Sequence, residues 1–199
     1  MANNYVFGYG SLAAHPAGLV RAGASNEGRV AEGFTAELLG HQRWWGVAMD
    51  NRQTVGGFKA YLDDRGLRPA IDVAFLDLRP SHEATLGVNG LCAPATAAEL
   101  AALDARERNY RRVDVSGSLS IRAGSDRVWA YVGLETARER AQRARARGTL
   151  VVHRAYRELV ESGFAALGPA ALAQYHETTA GPDCPERALT RIDLPVQDS

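Results

Sequence analysis

Two stretches of this 199-residue chain carry residue types suited to chemistry. One is Gly8-Tyr9-Gly10-Ser11-Leu12; the other is the segment around Glu107. Glycines on both sides of a tyrosine let the backbone come close to a small ligand. Backbone N–H groups in such a loop suit a carboxylate or a developing oxyanion. Glu107 belongs to "TAAELAALDARERN" (96–109), which has a helical pattern. At about 100° per residue, Leu100, Leu103 and Glu107 fall on one stripe. A glutamate there is expected to be partly desolvated. Burial of a carboxylate is costly unless it is paired or protonated, and it raises the pKa toward the range of a general acid or base. Two structural readings stand beside the catalytic one. Glu107 could be ion-paired to Arg106, Arg108, Arg111 or Arg112, or the helix could end near residue 105 and expose it.

Other chemistries fit less well. Ser11 is not in a Gly-x-Ser-x-Gly elbow and has no evident His/Asp partners, so it reads as a binder rather than a nucleophile. Gly-Tyr-Gly lacks the third glycine of a dinucleotide loop. The five histidines (His15, His41, His82, His153, His176) show no paired metal spacing, and no metal site is expected. Cys92 and Cys184 read as free thiols. Trp44-Trp45 reads as packing in a strand.

These residues need elements to hold them. Residues 4–7 read as a short strand stopped by Gly8. From Arg29 to Met49, strand-prone segments are punctuated by Gly33, Gly40 and Gly46. Residues 50–69 form a polar loop or hairpin excursion, which either caps a pocket or decorates the fold. "IDVAFLDL" (71–78) reads as a strand with Ile71, Val73 and Phe75 on one face. "GVNGLCA" (87–93) is another strand, and 111–134 holds three strand-like pieces. Thr96 with Glu99 is a capping-box pattern for the first long helix. "VVHRAYRELVESGFAALG" (151–168) predicts an amphipathic helix, 169–179 a shorter one, and 189–194 a strand. Strands and helices do not alternate regularly. That argues against a doubly wound parallel sheet and for an α+β or barrel-like sheet with helices outside.

Composition sets the wider frame. Hydrophobic residues are 46% and charged residues 23% of a chain with zero formal net charge. The length suits one domain, residues 1–199, with a core of its own. Nothing global attracts nucleic acid or an acidic membrane. Arginine dominates the basic residues and Lys59 is the only lysine, which reads as compositional. "ETARERAQRARARG" (135–148), with five arginines, reads as a solvated helix or loop rather than a phosphate-binding surface. The N-terminus has no secretory pattern, and no apolar run reaches the roughly 20 residues of a membrane span. A cytoplasmic location is expected.

"FGYGSL" (7–12) resembles the Tyr-Gly-Ser loop near the N-terminus of gamma-glutamylcyclotransferase-like proteins, and "LDARERNYRRVDV" (103–115) resembles their Leu-Asp-x-x-Glu segment. The resemblance implies a small, mixed, barrel-like β-sheet with flanking helices. It implies a cofactor-free enzyme acting on a small-molecule γ-glutamyl substrate, whose α-amino group attacks its own γ-carbonyl to give 5-oxoproline and a free amine. Tyr9, Gly10, Ser11 and Leu12 match the loop that cradles the glutamyl part. Glu107 matches the catalytic acid/base, Tyr110 a tyrosine shortly after it, and Tyr156 a further pocket tyrosine. Before Tyr156, Val152-His153 stands where the family often has Pro-Ser. The "GSL" ending leans toward the glutathione-acting ChaC-type branch, yet Ala13-Ala14 replaces a tryptophan found there. Glutathione, γ-glutamyl amino acids, γ-glutamylamines and a γ-glutamyl-protected metabolite all remain open, as does a monomer or homodimer. A non-catalytic binding module on the same fold is the alternative.

Overall fold

A computed structural model describes residues 3–14, 33–81, 86–121 and 124–195. His15, His82, and residues 29–32 of the second strand-prone stretch lie outside the described residues. The fold is α+β. Its strands are β1 (Asn4–Gly8), β2 (Phe34–Leu38), β3 (His41–Asp50), β4 (Lys59–Leu62), β5 (Asp72–Pro80), β6 (Val88–Pro94), β7 (Tyr110–Asp114), β8 (Arg127–Gly133), β9 (Leu150–His153), β10 (Glu186–Arg187) and β11 (Thr190–Asp193). Its helices are α1 (Ser11–Ala14), α2 (Ala97–Arg106), α3 (Glu135–Ala146), α4 (Arg154–Ala166) and α5 (Pro169–Glu177). Among the described residues three sheets form, in the orders β2-β6-β1-β8-β7, β10-β9-β5-β3 and β11-β4. They do not close into a barrel among the described residues.

The mixed character comes from β1 and β5. Strand β1 runs antiparallel to β6 and parallel to β8, while β5 runs antiparallel to β3 and parallel to β9. Every residue from Asp72 to Leu78 is buried, as an interior strand covered on both faces requires. The alternation read from the sequence therefore separates two cores rather than core from solvent. Ile71, Val73 and Phe75 pack with Val47, Met49 and Tyr61, while Ala74, Leu76 and Leu78 join the larger cluster around Phe7, Trp45 and Phe164.

Several boundaries differ from the sequence expectation. Val151, Val152 and His153 belong to β9, because this β-branched pair is buried beside β5; helix α4 starts only at Arg154. Among its described residues the 111–134 stretch gives two strands and not three: Ser116–Ser118 is a short 3-10 turn, and Leu119 makes an isolated bridge to Leu38. The 50–69 excursion contains β4, which pairs with β11 near the C-terminal end of the described chain. The arginine-rich segment is helix α3, with Ala137, Ala141 and Ala144 buried. Its Arg138 pairs with buried Asp77 at 2.7 Å, and its Arg145 donates to the Trp45 carbonyl at 3.1 Å. Among the described residues no helix is long and apolar enough to cross a membrane.

Candidate active site

Helix α2 starts as the sequence predicts. The Thr96 hydroxyl accepts from the Glu99 N–H at 3.2 Å, and the Glu99 carboxylate accepts from the Thr96 N–H at 2.7 Å. The helix ends at Arg106, so Glu107 is its C-cap, with φ −84° and ψ 53°. The apolar stripe holds through Leu100 and Leu103, and Glu107 stands one step past it. Its N–H still bonds the Leu103 carbonyl at 2.8 Å, and its own carbonyl receives the Tyr110 N–H at 2.8 Å. This tight corner delivers the chain into β7. The Glu107 side chain is 24% exposed, and Oε1 pairs with Arg106 Nε at 3.1 Å. Both structural readings thus hold in part: an ion pair forms and the helix is short. Neither removes the carboxylate from the cavity described next.

That cavity, of about 470 Å³, brings together every site residue expected from the sequence: Tyr9, Gly10, Ser11, Leu12, Glu107, Tyr110 and Tyr156. The 9–12 segment is the corner between β1 and α1. A Cβ added at Gly8 would stand 2.8 Å from the Ala13 nitrogen, so only glycine lets β1 end this close to α1. A Cβ at Gly10 would stand 3.3 Å from the Tyr156 hydroxyl, which places the loop backbone against that phenol. The corner is pinned at both ends of Tyr9. The Tyr9 hydroxyl donates to the Tyr131 carbonyl at 2.5 Å, and the Tyr9 carbonyl accepts from Arg43 Nε at 2.7 Å.

A bulge arranges the other two tyrosines. Between Trp44 and Val47 the β3–β5 register shifts, so Trp45 and Gly46 stand opposite Leu76. On the other edge, pairing of β5 with β9 stops at Ala74. The Leu76 peptide is left to bond side chains instead. Its carbonyl accepts from the Tyr110 hydroxyl at 2.8 Å, and its backbone donates to the Tyr156 hydroxyl. The Tyr156 ring meets Phe75 edge-on at 5.0 Å and Trp45 at 6.0 Å. Trp45 thus backs a pocket residue, while Trp44 carries the Arg79 guanidinium over its ring.

Burial, with further pushes from neighbouring groups that include Glu107, holds the phenols of Tyr9, Tyr110 and Tyr156 well above their ordinary pKa. They are therefore neutral hydrogen-bonding groups at physiological pH. The groups lining the cavity that can carry charge are Lys59, Arg106, Glu107, Arg108, Arg191 and Asp193. Among the described residues no three His, Cys, Asp or Glu side chains lie together as a metal site would need. The cavity accordingly offers the Glu107 carboxylate, a second carboxylate (Asp193) paired to Arg191, neutral phenols and a glycine corner, a set suited to proton transfer and to positioning a small polar ligand.

Sequence reasoning missed Phe58, Lys59, Arg191 and Asp193, which also line the cavity. The first two sit midway along the 50–69 excursion. The one available signal was Lys59 itself, a lone lysine in an arginine-rich chain. Burial lowers Lys59 to about 8, against an opposing push from Glu107.

A solved structure described as a gamma-glutamyl cyclotransferase is similar to this chain, with a TM-score of 0.54 at 13% identity over 91% of this chain and 90% of that one. The chain has that fold. A solution structure of an Arabidopsis thaliana protein aligns with a TM-score of 0.35 at 23% identity, over 67% of this chain and 63% of that one. No protein-family model and no curated protein matches the sequence.

Proposed function

We propose that this protein is a gamma-glutamyl cyclotransferase that converts a γ-glutamyl amide to 5-oxoproline and a free amine without a cofactor. The observation that carries this reading is the meeting, in one cavity, of the Glu107 carboxylate with the 9–12 corner and the Tyr110 and Tyr156 phenols. The shared fold is consistent with it.

The chemistry follows from those groups. The first N–H groups of a helical turn have no partner within the turn, so the start of α1 suits the α-carboxylate of a glutamyl unit. Holding that unit folded places its amine near its own γ-carbonyl, and such positioning supplies much of the rate of a ring closure. The neutral amine attacks the carbonyl carbon of the γ-amide, forming the ring C–N bond. Glu107 takes a proton from the attacking nitrogen and gives it to the leaving nitrogen as the original amide C–N bond breaks. Tyr110 and Tyr156, neutral and anchored at Leu76, fix the walls between which the chain of the substrate folds. Ser11 acts as a binder and no covalent enzyme intermediate is needed.

The test is a panel of γ-glutamyl compounds incubated with the full chain, with 5-oxoproline and released amine both quantified. Equimolar appearance of the two is expected for at least one member. Release of free glutamate in place of 5-oxoproline would contradict the reading, because water and not the internal amine would then be the nucleophile.

A further inference from the structure

The wall of the cavity built from the small β4–β11 sheet is not used by the reaction described above. Lys59 and Asp193 are register partners there, and Arg191 lies opposite Tyr61. The charged groups around the wall pair unequally. Arg191 Nη2 holds Asp193 at 2.7 Å, and Arg106 holds Glu107. Lys59 has no hydrogen-bond or ion-pair partner among the described residues. Its ammonium lies 4.2 Å from the Phe75 ring centroid and 5.7 Å from that of Phe58. Arg108 lies over the same Phe58 ring, at 5.6 Å, and likewise makes no ion pair among the described residues.

Two cations thus share the Phe58 ring, and neither is in ion-pair contact with a carboxylate among the described residues; Glu107 and Asp193 act on Lys59 only from a distance and are themselves held by Arg106 and Arg191. A cation–π contact offsets only part of the cost of removing an ammonium from water. If packing were the only role of this position, an uncharged side chain of similar length would cover Phe75 at no such cost. Lys59 is also continuous with the glutamyl end of the cavity, since Phe75 packs on Tyr156 and Tyr156 touches the Gly10 corner. A volume of about 470 Å³ lies within the range of sites that take a whole small ligand.

We propose that Lys59, with Arg108 beside it on Phe58, receives a carboxylate carried by the departing portion of the substrate, so that the site prefers γ-glutamyl derivatives of amino acids or peptides to those of uncharged amines. The inference rests on the cyclotransferase reading for which end of the ligand is which. An incoming carboxylate supplies the direct ion-pair contact that Glu107 and Asp193 do not make with Lys59, and a charge-assisted contact in a partly dry site is stronger than a neutral one.

The experiment compares γ-glutamylalanine with γ-glutamylalaninamide, which differ at the distal end only in carboxylate against carboxamide. Calorimetric titration uses the full chain carrying Glu107→Gln, alone and combined with Lys59→Met, Lys59→Arg or Lys59→Glu. With Lys59 present, the acid is expected to bind about tenfold more tightly than the amide, a difference typical of one such contact. Lys59→Met should bring the ratio near one, Lys59→Arg should retain most of it, and Lys59→Glu should reverse it. Equal affinity for the two ligands with Lys59 present overturns the proposal, as does a preference that survives Lys59→Met or a failure of both ligands to bind. The catalytic reading is scored separately, by 5-oxoproline release from the same two compounds with Glu107 intact. A Lys59-dependent binding ratio without 5-oxoproline would sustain the subsite while refuting the cyclotransferase.

Discussion

Arg43 Nε donates to the Tyr9 carbonyl at 2.7 Å from a side chain that is fully buried and has no carboxylate partner among the described residues. Its remaining donors reach the Tyr175 carbonyl, the Thr178 and Thr179 hydroxyls, and the carbonyl and side-chain oxygens of Asn89. The guanidinium plane lies over the rings of Phe164 and Tyr175, at 4.9 and 4.8 Å. One buried cation therefore ties the glycine corner to β6 and to the end of α5. Burial lowers Arg43 to about 10, and the neutral oxygens around it replace the water it has lost.

Replacing Arg43 by methionine leaves several buried acceptors without donors. A stability loss of about 3 kcal/mol or more is expected, since each orphaned group costs about 1–3 kcal/mol. Arg43→Lys keeps the charge but not the planar fork, and is expected to recover only part of the loss. Urea denaturation of the three proteins measures this.

Gly10 and Tyr156 should be coupled. A methyl at Gly10 would press on the Tyr156 hydroxyl 3.3 Å away, so Gly10→Ala is expected to lower kcat/KM by about tenfold or more through displaced positioning. Tyr156→Phe removes the oxygen that is pressed. The double variant is expected to lose less than the sum of the single effects, with a coupling of about 0.5–3 kcal/mol in thermal or urea unfolding.

Lys59 should be stabilising to lose. Its value in the folded protein, about 8, lies below the ordinary 10.5, set chiefly by burial, with Glu107 and Asp193 opposing and Arg191 and Arg106 reinforcing the shift. Below pH 8 the lysine is charged in both states, and the cost of burying the ammonium is fully present. Between about 8 and 10.5 the unfolded chain binds the extra proton, so wild-type stability from this group rises with pH. Lys59→Met is therefore expected to raise Tm by about 2–4 °C at pH 7. The gain should shrink as the pH climbs from 8 toward 10.5. Differential scanning calorimetry across that range checks both the sign and the window.

Much of this site could be read from local patterns. The Gly8-to-Leu12 corner and the Thr96/Glu99 box were legible because glycine freedom and capping chemistry act within a few residues. Helical spacing drew attention to Glu107, yet the helix stops at Arg106 and Glu107 stands one step past the apolar stripe. The α+β class followed from the order of the elements. What escaped notice depends on pairings far apart in sequence. Val151 and Val152 look helical in their own window and become strand only because β5 lies beside them. Lys59 reaches the cavity because β4 pairs with β11, more than a hundred residues later, and no periodicity encodes that. The arginines of α3 gave the opposite difficulty. Their charge suggested a solvated face, yet Arg138 is committed to Asp77, whose carboxylate also accepts from the Gly133 N–H.

The central claim is that Glu107 moves the proton. The most direct measurement is kcat for 5-oxoproline release by wild type and Glu107→Gln on one γ-glutamyl substrate, with Tm recorded for both. A general acid/base contributes about 100-fold or more, so Glu107→Gln is expected to lose at least that much kcat. Its Tm should stay close to wild type, because the Arg106 contact it loses is a partly exposed ion pair. A Glu107→Gln enzyme that releases 5-oxoproline at the wild-type rate would contradict the account.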